Sequence, residues 1–423
     1  MALQEGGKGI DEIPLDQVVI GERAQWMEGP PYELFKRLRN ECPVHWSSHI
    51  PEFPAEAGFH SIVRWDDVRA VSMDWQTFSS ELGGITALTD AVIPLDLQRG
   101  MFIAQDPPKH DRLKALFQRG FTPKRIAEHE DRIRQIVRDR LDMLDPDNEI
   151  NLVEEFAQPV VARVIGSFMG TAPDDDQIWA RLMNATLGGG DPDLNPDGPE
   201  TIMQNEIPEI FERCRKLIDA RRAEPADDLT TVLVNAEVDG STLEDWEIVM
   251  GFFLLMAAGN DSTKATFSSA IVALCEHPEE RQKLIDDPSL IPSAVEESVR
   301  MFPAFAHFRR TAAKDTEIAG CPIKHGEKVV MWYVASNRDE TKFEDPERFD
   351  VERNPDHQGF GAGGRHFCLG AALARLELKV MLEEILARYP NLQMTGKAVY
   401  VESPFINQLK ALPVRLAPAA PER

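Results

Sequence analysis

The segment Gly359-Phe-Gly-Ala-Gly-Gly-Arg-His-Phe-Cys368-Leu-Gly holds the residue best placed for chemistry. Its close-set glycines imply a tight loop with near backbone approach, and a helical pattern begins just after Cys368. Orphan N–H groups and the positive end of the helix dipole favour a thiolate at such a point. Arg365 and His366 add positive charge beside it. A thiolate so placed is a nucleophile or a metal ligand. No general-base partner stands at a fixed spacing, and a zinc site would need three more ligands. A single thiolate in a glycine-rich collar suits an axial ligand to heme iron. A buried structural cysteine is the competing reading.

Two further groups could carry chemistry. Ala258-Gly-Asn-Asp-Ser-Thr263 lies inside an apolar helical pattern. Gly, Asn, Asp and Ser are poor helix formers, and Ser and Asp compete for backbone hydrogen bonds. The run is expected to be a local distortion that brings polar groups to a ligand; a weak spot tolerated by packing is the alternative. Glu297 and Arg300 are three apart on a short helix and so share a face. Alone they read as a surface ion pair.

The elements that must position these residues are mainly helical. The central pattern is expected to open at Ser241, with Glu244 completing a capping box, and to run to Glu276 before His277-Pro278. Helices are expected over Pro31–Asn40, Pro292–Phe302 and Leu369–Arg388, and mainly helical chain over Arg125–Ala223. Strand-like pieces occur near Gly58–Arg64, Thr316–Ala319 and Glu327–Val334, and Leu187–Pro199 is a Gly/Pro/Asp-rich loop. Pro and Gly are scattered without a linker, which favours one domain over 1–423.

Composition limits the partners. Among 423 residues, 71 Asp and Glu against 46 Lys and Arg give a formal charge of −25, which disfavours nucleic acid and anionic membrane. No segment reads as a signal peptide or a membrane span, so the expected location is the cytoplasm. Cys42, Cys214, Cys275, Cys321 and Cys368 form no Cys-x-x-Cys pair and no evident disulfide framework.

The Cys368 loop resembles the heme-binding loop of the cytochrome P450 superfamily, with Phe360, the glycines, a basic residue two before Cys and then Cys-x-Gly. Other segments resemble that family's motifs in order. They are His110-Asp-Arg-Leu-Lys114 with Phe121-Thr-Pro, the groove at Ala258–Ser262, Glu297-Ser-Val-Arg300, and a meander through Phe343, Pro346, Phe349-Asp350, Arg353 and His357. The resemblance implies a mainly α fold with small β-sheets (α+β), a triangular helical prism around a buried heme b with a long central helix.

It also implies roles. Cys368 becomes the thiolate ligand, whose electron donation favours O–O cleavage. Phe360, eight residues before Cys368, and Gly370 flank the heme, with Ala258 and Gly259 in the oxygen groove. His110, Lys114, Arg310 and His366 become partners of the propionates; Arg309 adjoins Arg310, which matches the family's continuation better. Asp261, Ser262 and Thr263 become the proton-delivery group, with Ser262 where the family usually has Thr. Glu297 and Arg300 become structural, holding the meander through Arg348 or Arg353.

The implied function is insertion of one oxygen atom from O2 into a hydrophobic substrate. The C-terminal turn Ser403–Val414 resembles that of sterol, terpenoid and branched-lipid hydroxylases, so a terpenoid, steroid or fatty-acyl compound is expected. Its pocket would draw on Leu82–Phe102 including Phe102, the loop near Leu187, Phe253, Leu254, Ala257, Ala304, Phe305, Phe405 and Ile406. Electrons would come from an acidic ferredoxin with its reductase. Its dock would be the basic stretch Lys109, Arg112, Lys114, Arg119, Lys124 and Arg125, alongside Arg365. A monomer is expected. A peroxide-driven peroxygenase and a non-catalytic heme sensor are the alternatives.

Overall fold

The computed structural model describes residues 13–86, 93–118, 120–238 and 241–417. Its elements include β1 (Val44–Ser47), β2 (Phe59–Ile62), β3 (Phe78–Ser79), α1 (Lys109–Gln118), α2 (Gln158–Met169), α3 (Asp176–Gly188), α4 (Asp245–Glu276), α5 (Ile291–Met301), β4 (His307–Ala312), β5 (Lys328–Trp332) and α6 (Ala371–Arg388). Helices dominate, and the sheets are small. The largest has strand order β1-β2-β5-β4-β3, with β2 and β5 parallel and the other pairs antiparallel.

The 32-residue helix α4 forms the axis of the fold. It is buried nearly all round, as the unbroken apolar run Ile248–Ala257 requires. It packs against α2, α3, α5 and α6. Its start is Asp245, not Ser241: Ser241–Thr242 pairs as a strand with Glu237–Val238. The capping box is built from Glu244 and Glu247, with the Glu244 N–H donating to Glu247 at 3.0 Å. Among the described residues no helix is long and apolar enough to cross a membrane.

The expected distortion at Ala258–Thr263 is absent, because α4 is continuous α-helix from Asp245 to Glu276. Asn260, Asp261 and Ser262 each have a side-chain hydrogen bond within the fold. Ser262 donates to the Ala258 carbonyl at 2.6 Å, Asn260 accepts from Gln158 at 2.6 Å, and Asp261 pairs with Lys264 at 2.7 Å.

The sheet fixes which arginine faces inward. Side chains alternate along a strand, so Phe308 and Arg310 share one face of β4 while His307 and Arg309 share the other. Phe308 and Arg310 line the cavity under α4; Arg309 does not.

Candidate active site

Two cavities lie along α4. The larger, about 510 Å³, is walled by apolar side chains that include Phe253, Ala257 and Phe405. The smaller, about 190 Å³, holds Cys368. Ile103, Leu254, Ala258, Phe305 and Phe308 line both, so the two chambers share a wall.

Cys368 reaches the smaller cavity from a loop that only glycine permits at two points. A Cβ on Gly359 would stand 2.5 Å from the Val299 carbonyl of α5, and Gly364 sits at φ +79° with a virtual Cβ 2.8 Å from the Ser72 carbonyl. The Cys368 N–H donates to the Phe360 carbonyl at 2.9 Å and closes the loop. The Cys368 side chain is surrounded by protein yet presents free surface, which is that of the cavity.

The electrostatics correct the expectation of a free thiolate. Burial pushes the Cys368 thiol up, and the Gly370 N–H, Lys114 and Arg375 pull it down without winning. A metal ion deprotonates a coordinating thiol outright, which supplies what the local field lacks. Among the described residues no cluster of three or more metal-ligating side chains exists, so Cys368 stands as a lone donor. Arg375 stacks over Phe360 at 4.6 Å and is fixed by Glu296 at 2.6 Å.

The cavity has a cationic end formed by His110, Lys114, Arg310 and His366. His110 Nδ1 bonds Asp111 at 2.9 Å, while its buried Nε2 has no partner. The His110 and His366 rings lie 4.3 Å apart, and His366 Nε2 meets Ser80 at 3.2 Å. Arg310 donates to the Arg309 carbonyl at 2.7 Å, and Lys114 to the Phe367 carbonyl at 2.8 Å. Burial lowers all four groups, and the acids near them, such as Asp111 beside His110, do not offset it. An orphan donor-acceptor nitrogen, a cationic cradle and a lone thiol across one cavity fit heme b, whose two carboxylates need such partners.

Opposite the thiol, Ala258, Gly259, Ser262 and Thr263 form the α4 wall. Asp261 is not with them. Successive helical residues turn by roughly 100°, and Asp261 points toward α2 and α3, lining neither cavity. There it is fully buried against Lys264, which also donates to Gln158 and Asn184 at 2.6 Å each. The expected Asp261–Ser262 pair is thus split between a structural network and the cavity wall. Glu377 of α6, which sequence reasoning missed, takes the place beside the hydroxyls. It lines the cavity, is 2% exposed, accepts a hydrogen bond from Thr263, and burial pushes its carboxyl up to about 8. Its signal was a lone acid in the apolar stripe of α6.

Among the expected pocket residues, Phe253, Leu254, Ala257, Phe305 and Phe405 line the large cavity, and Phe102 and Ala304 line the smaller one. Ile406 lines neither; it is fully buried in the core, because it is one residue out of phase with Phe405. Ile85, Thr86, Ile93, Gln98 and Met101 of the Leu82–Phe102 segment reach the large cavity, and 87–92 lie outside the described residues. The loop near Leu187 also lines it.

Glu297 and Arg300 are not on the surface. Both side chains are 0% exposed and joined twice, at 2.7 and 2.8 Å. Arg300 also donates to the Asn337 and Pro346 carbonyls, and Arg353 meets Glu297 at 3.2 Å. Arg348 contributes its backbone carbonyl to Arg300. Removing one partner of such a pair costs about 3–5 kcal/mol.

The basic stretch is less available than its sequence implies. Lys109 pairs with Glu81, Arg112 lies 3.5 Å from Glu247, and Lys114 turns inward. Arg365 pairs with Asp111 at 2.6 Å. Arg119 lies outside the described residues.

Comparison with known proteins gives consistent results. The description of the Cytochrome P450 family matches residues 200–399. A methyl-branched lipid omega-hydroxylase of Mycobacterium tuberculosis is 37% identical over 427 residues, covering 98% of each chain. Linalool 8-monooxygenase of Pseudomonas putida is 34% identical, covering 92% of this chain and 96% of that protein. A solved Mycobacterium marinum cytochrome P450 in complex with pseudoionone superposes with a TM-score of 0.89 at 35% identity, covering 95% of this chain and 99% of that one.

Proposed function

The chain belongs to the cytochrome P450 superfamily, and on that premise we propose that it hydroxylates a terpenoid, steroid or fatty-acyl substrate held in the large cavity, using electrons from a ferredoxin. It is a heme b monooxygenase. When bound, heme would supply the capacity to bind and activate O2, with Cys368 as the thiolate that holds it. The residues of this chain do the rest.

Cys368 is the thiolate, and the Gly370 N–H together with Lys114 and Arg375 moderates its charge. His110, Lys114, Arg310 and His366 would hold the propionates. Phe253, Leu254, Ala257, Phe305 and Phe405 orient the apolar substrate and exclude water, which strengthens every polar interaction inside. Ser262 Oγ and Thr263 Oγ1 position protons at the cavity wall, and Glu377, neutral below about pH 8, holds a proton next to Thr263. The ferredoxin reading is supported by the exposed side chains of Arg365 and Lys109, each paired with a single acid, in a chain of net charge −25.

The observation that carries this function is the thiol of Cys368 facing a cavity whose far wall is shared with an apolar chamber. The test is the absorbance band of the reduced carbon monoxide complex. Wild-type protein should show the thiolate band, and Cys368→Ser should lose that band and all electron-fed hydroxylation while still folding. Hydroxylation that survives in Cys368→Ser would overturn the assignment.

A further inference from the structure

The mouth of the large cavity carries a charge pattern that a merely hydrophobic substrate does not require. Among the described residues lining it, Arg23 is the one cation, against Glu52, Glu200 and Glu402. That cation already faces an acid through one of its nitrogens. Its guanidinium donates to Glu402 at 2.5 Å, and its backbone N–H donates to Glu52 at 3.0 Å. Glu402 is itself anchored, its N–H bonded to Asp191 at 2.8 Å. The next cation along, Lys410, is shared between Asp191 at 2.9 Å and Asp193 at 2.5 Å. Deeper in, the walls are apolar side chains with neutral Gln98, Thr186 and Ser403.

Among the described residues lining this chamber, none offers a ligand carboxylate an unpaired cation. Inside, it would lose its hydration without a cationic partner, which is costly. At the mouth it would face three carboxylates and one guanidinium that is paired already. The cationic cradle beyond the shared wall would be taken by the carboxylates of heme b. An alcohol, ketone or ester meets none of these penalties, and a hydroxyl can donate to a rim carboxylate.

We propose that the paired Arg23 and the acids around it make this cavity selective for uncharged lipid or terpenoid derivatives over the corresponding free carboxylic acids. The inference rests on the large cavity being the substrate chamber, and it narrows the substrate class assigned there.

The test uses one hydrocarbon with different heads: farnesoic acid, its methyl ester and farnesol, titrated into the holoenzyme at pH 8. Binding is read both by calorimetry and by the heme spin-state change. Ester and alcohol should bind at least about tenfold tighter than the acid, which corresponds to about 1.4 kcal/mol. An ester is also more hydrophobic than an ion, so the deciding measurement is the acid-to-ester affinity ratio in Glu402→Gln and Glu52→Gln. Removing rim charge, and in the first variant freeing Arg23, should raise that ratio several-fold. A ratio unmoved in both variants overturns the proposal. So does an Arg23→Gln variant that selectively loses the acid, which would make Arg23 an acid anchor. Calorimetric binding with the expected ratios but no spin-state change would support the selectivity and instead overturn the placement of this chamber over the heme.

Discussion

The two cavities along α4 share five side chains and differ at their polar ends. The thiol cavity gathers His110, Lys114, Arg310 and His366 at one end, with Cys368 below and Glu377 as its one acidic lining residue among those described. The large cavity has Arg23 against Glu52, Glu200 and Glu402. One chamber is therefore cationic at one end, and the charged lining of the other is mostly acidic. A single helix serves both because its faces differ in composition: bulky Phe253 and Leu254 on one stretch, small Ala258 and Gly259 and hydroxylic Ser262 and Thr263 on the next. The contrast teaches that anion binding has been confined to the cofactor, so that the substrate chamber can discriminate by shape and lack of charge.

The contrast depends on Glu377 being neutral, because an ionised carboxylate would offset the cationic end. Its carboxyl titrates near 8 in the folded protein against an ordinary 4.5. Between those values the unfolded chain has released the proton and the folded chain has kept it, so stability falls as pH rises through the window. Glu377→Gln removes this penalty. The variant should gain on the wild type by about 1.4 kcal/mol per pH unit in that window, a few kcal/mol in all. Thermal unfolding followed at pH 5, 6.5 and 8 checks this. A difference that does not grow with pH would mean that Glu377 is ionised and the contrast is weaker than drawn.

The next effect separates the chambers directly. Arg310→Gln removes a buried charge-assisted donor worth about 1.5–3 kcal/mol, so heme should leave about 10- to 100-fold more readily. Transfer of heme to an acceptor apoprotein measures it. The fraction that keeps its heme should still bind the ester with near wild-type affinity. A parallel loss of ester affinity would show that the chambers are not independent.

These residues differ in how far the sequence disclosed them. The Cys368 loop was legible because glycines that must approach Val299 and Ser72 closely can only be glycine. Arg310 was preferred to Arg309 on the resemblance alone, strand parity supplies the physical reason, and the same one-residue phase puts Phe405 at the cavity and Ile406 in the core. Asp261 lies off the cavity wall because neighbouring residues on a helix face different ways, and nothing in its spacing shows that Gln158 and Asn184, from other helices, complete a site for Lys264. Glu377 was missed because one acid in an apolar stripe reads as a solvated face until burial is known.

On the substrate side, Phe405→Ala should weaken ester binding about tenfold through lost aromatic burial. Phe405 packs on Phe305 at 5.2 Å and on Phe308 at 5.7 Å, both of which belong to the shared wall. Heme retention should stay at the wild-type value, the reverse of the Arg310→Gln pattern. Release of heme from Phe405→Ala would show that the wall is shared in strength as well as in position.

The smallest effect lies at the wall itself. Ser262 donates to the Ala258 carbonyl at 2.6 Å, and a threonine can keep that bond. What Ser lacks is the γ-methyl that restricts χ1. A freely turning hydroxyl spends part of its time away from the geometry in which it can hand a proton into the cavity, and electrons are then consumed without product. Ser262→Thr should therefore raise product formed per electron pair about twofold, below 1 kcal/mol and within the range that rotamer restriction supplies. The measurement is product against reduced nicotinamide consumed, with ester affinity recorded alongside. Ser262 lines the thiol cavity and not the large one, so ester affinity should stay near the wild-type value. Coupling that stays level or drops while affinity holds would show that Thr263, bonded to Glu377, already carries the proton and that Ser262 is a helix support.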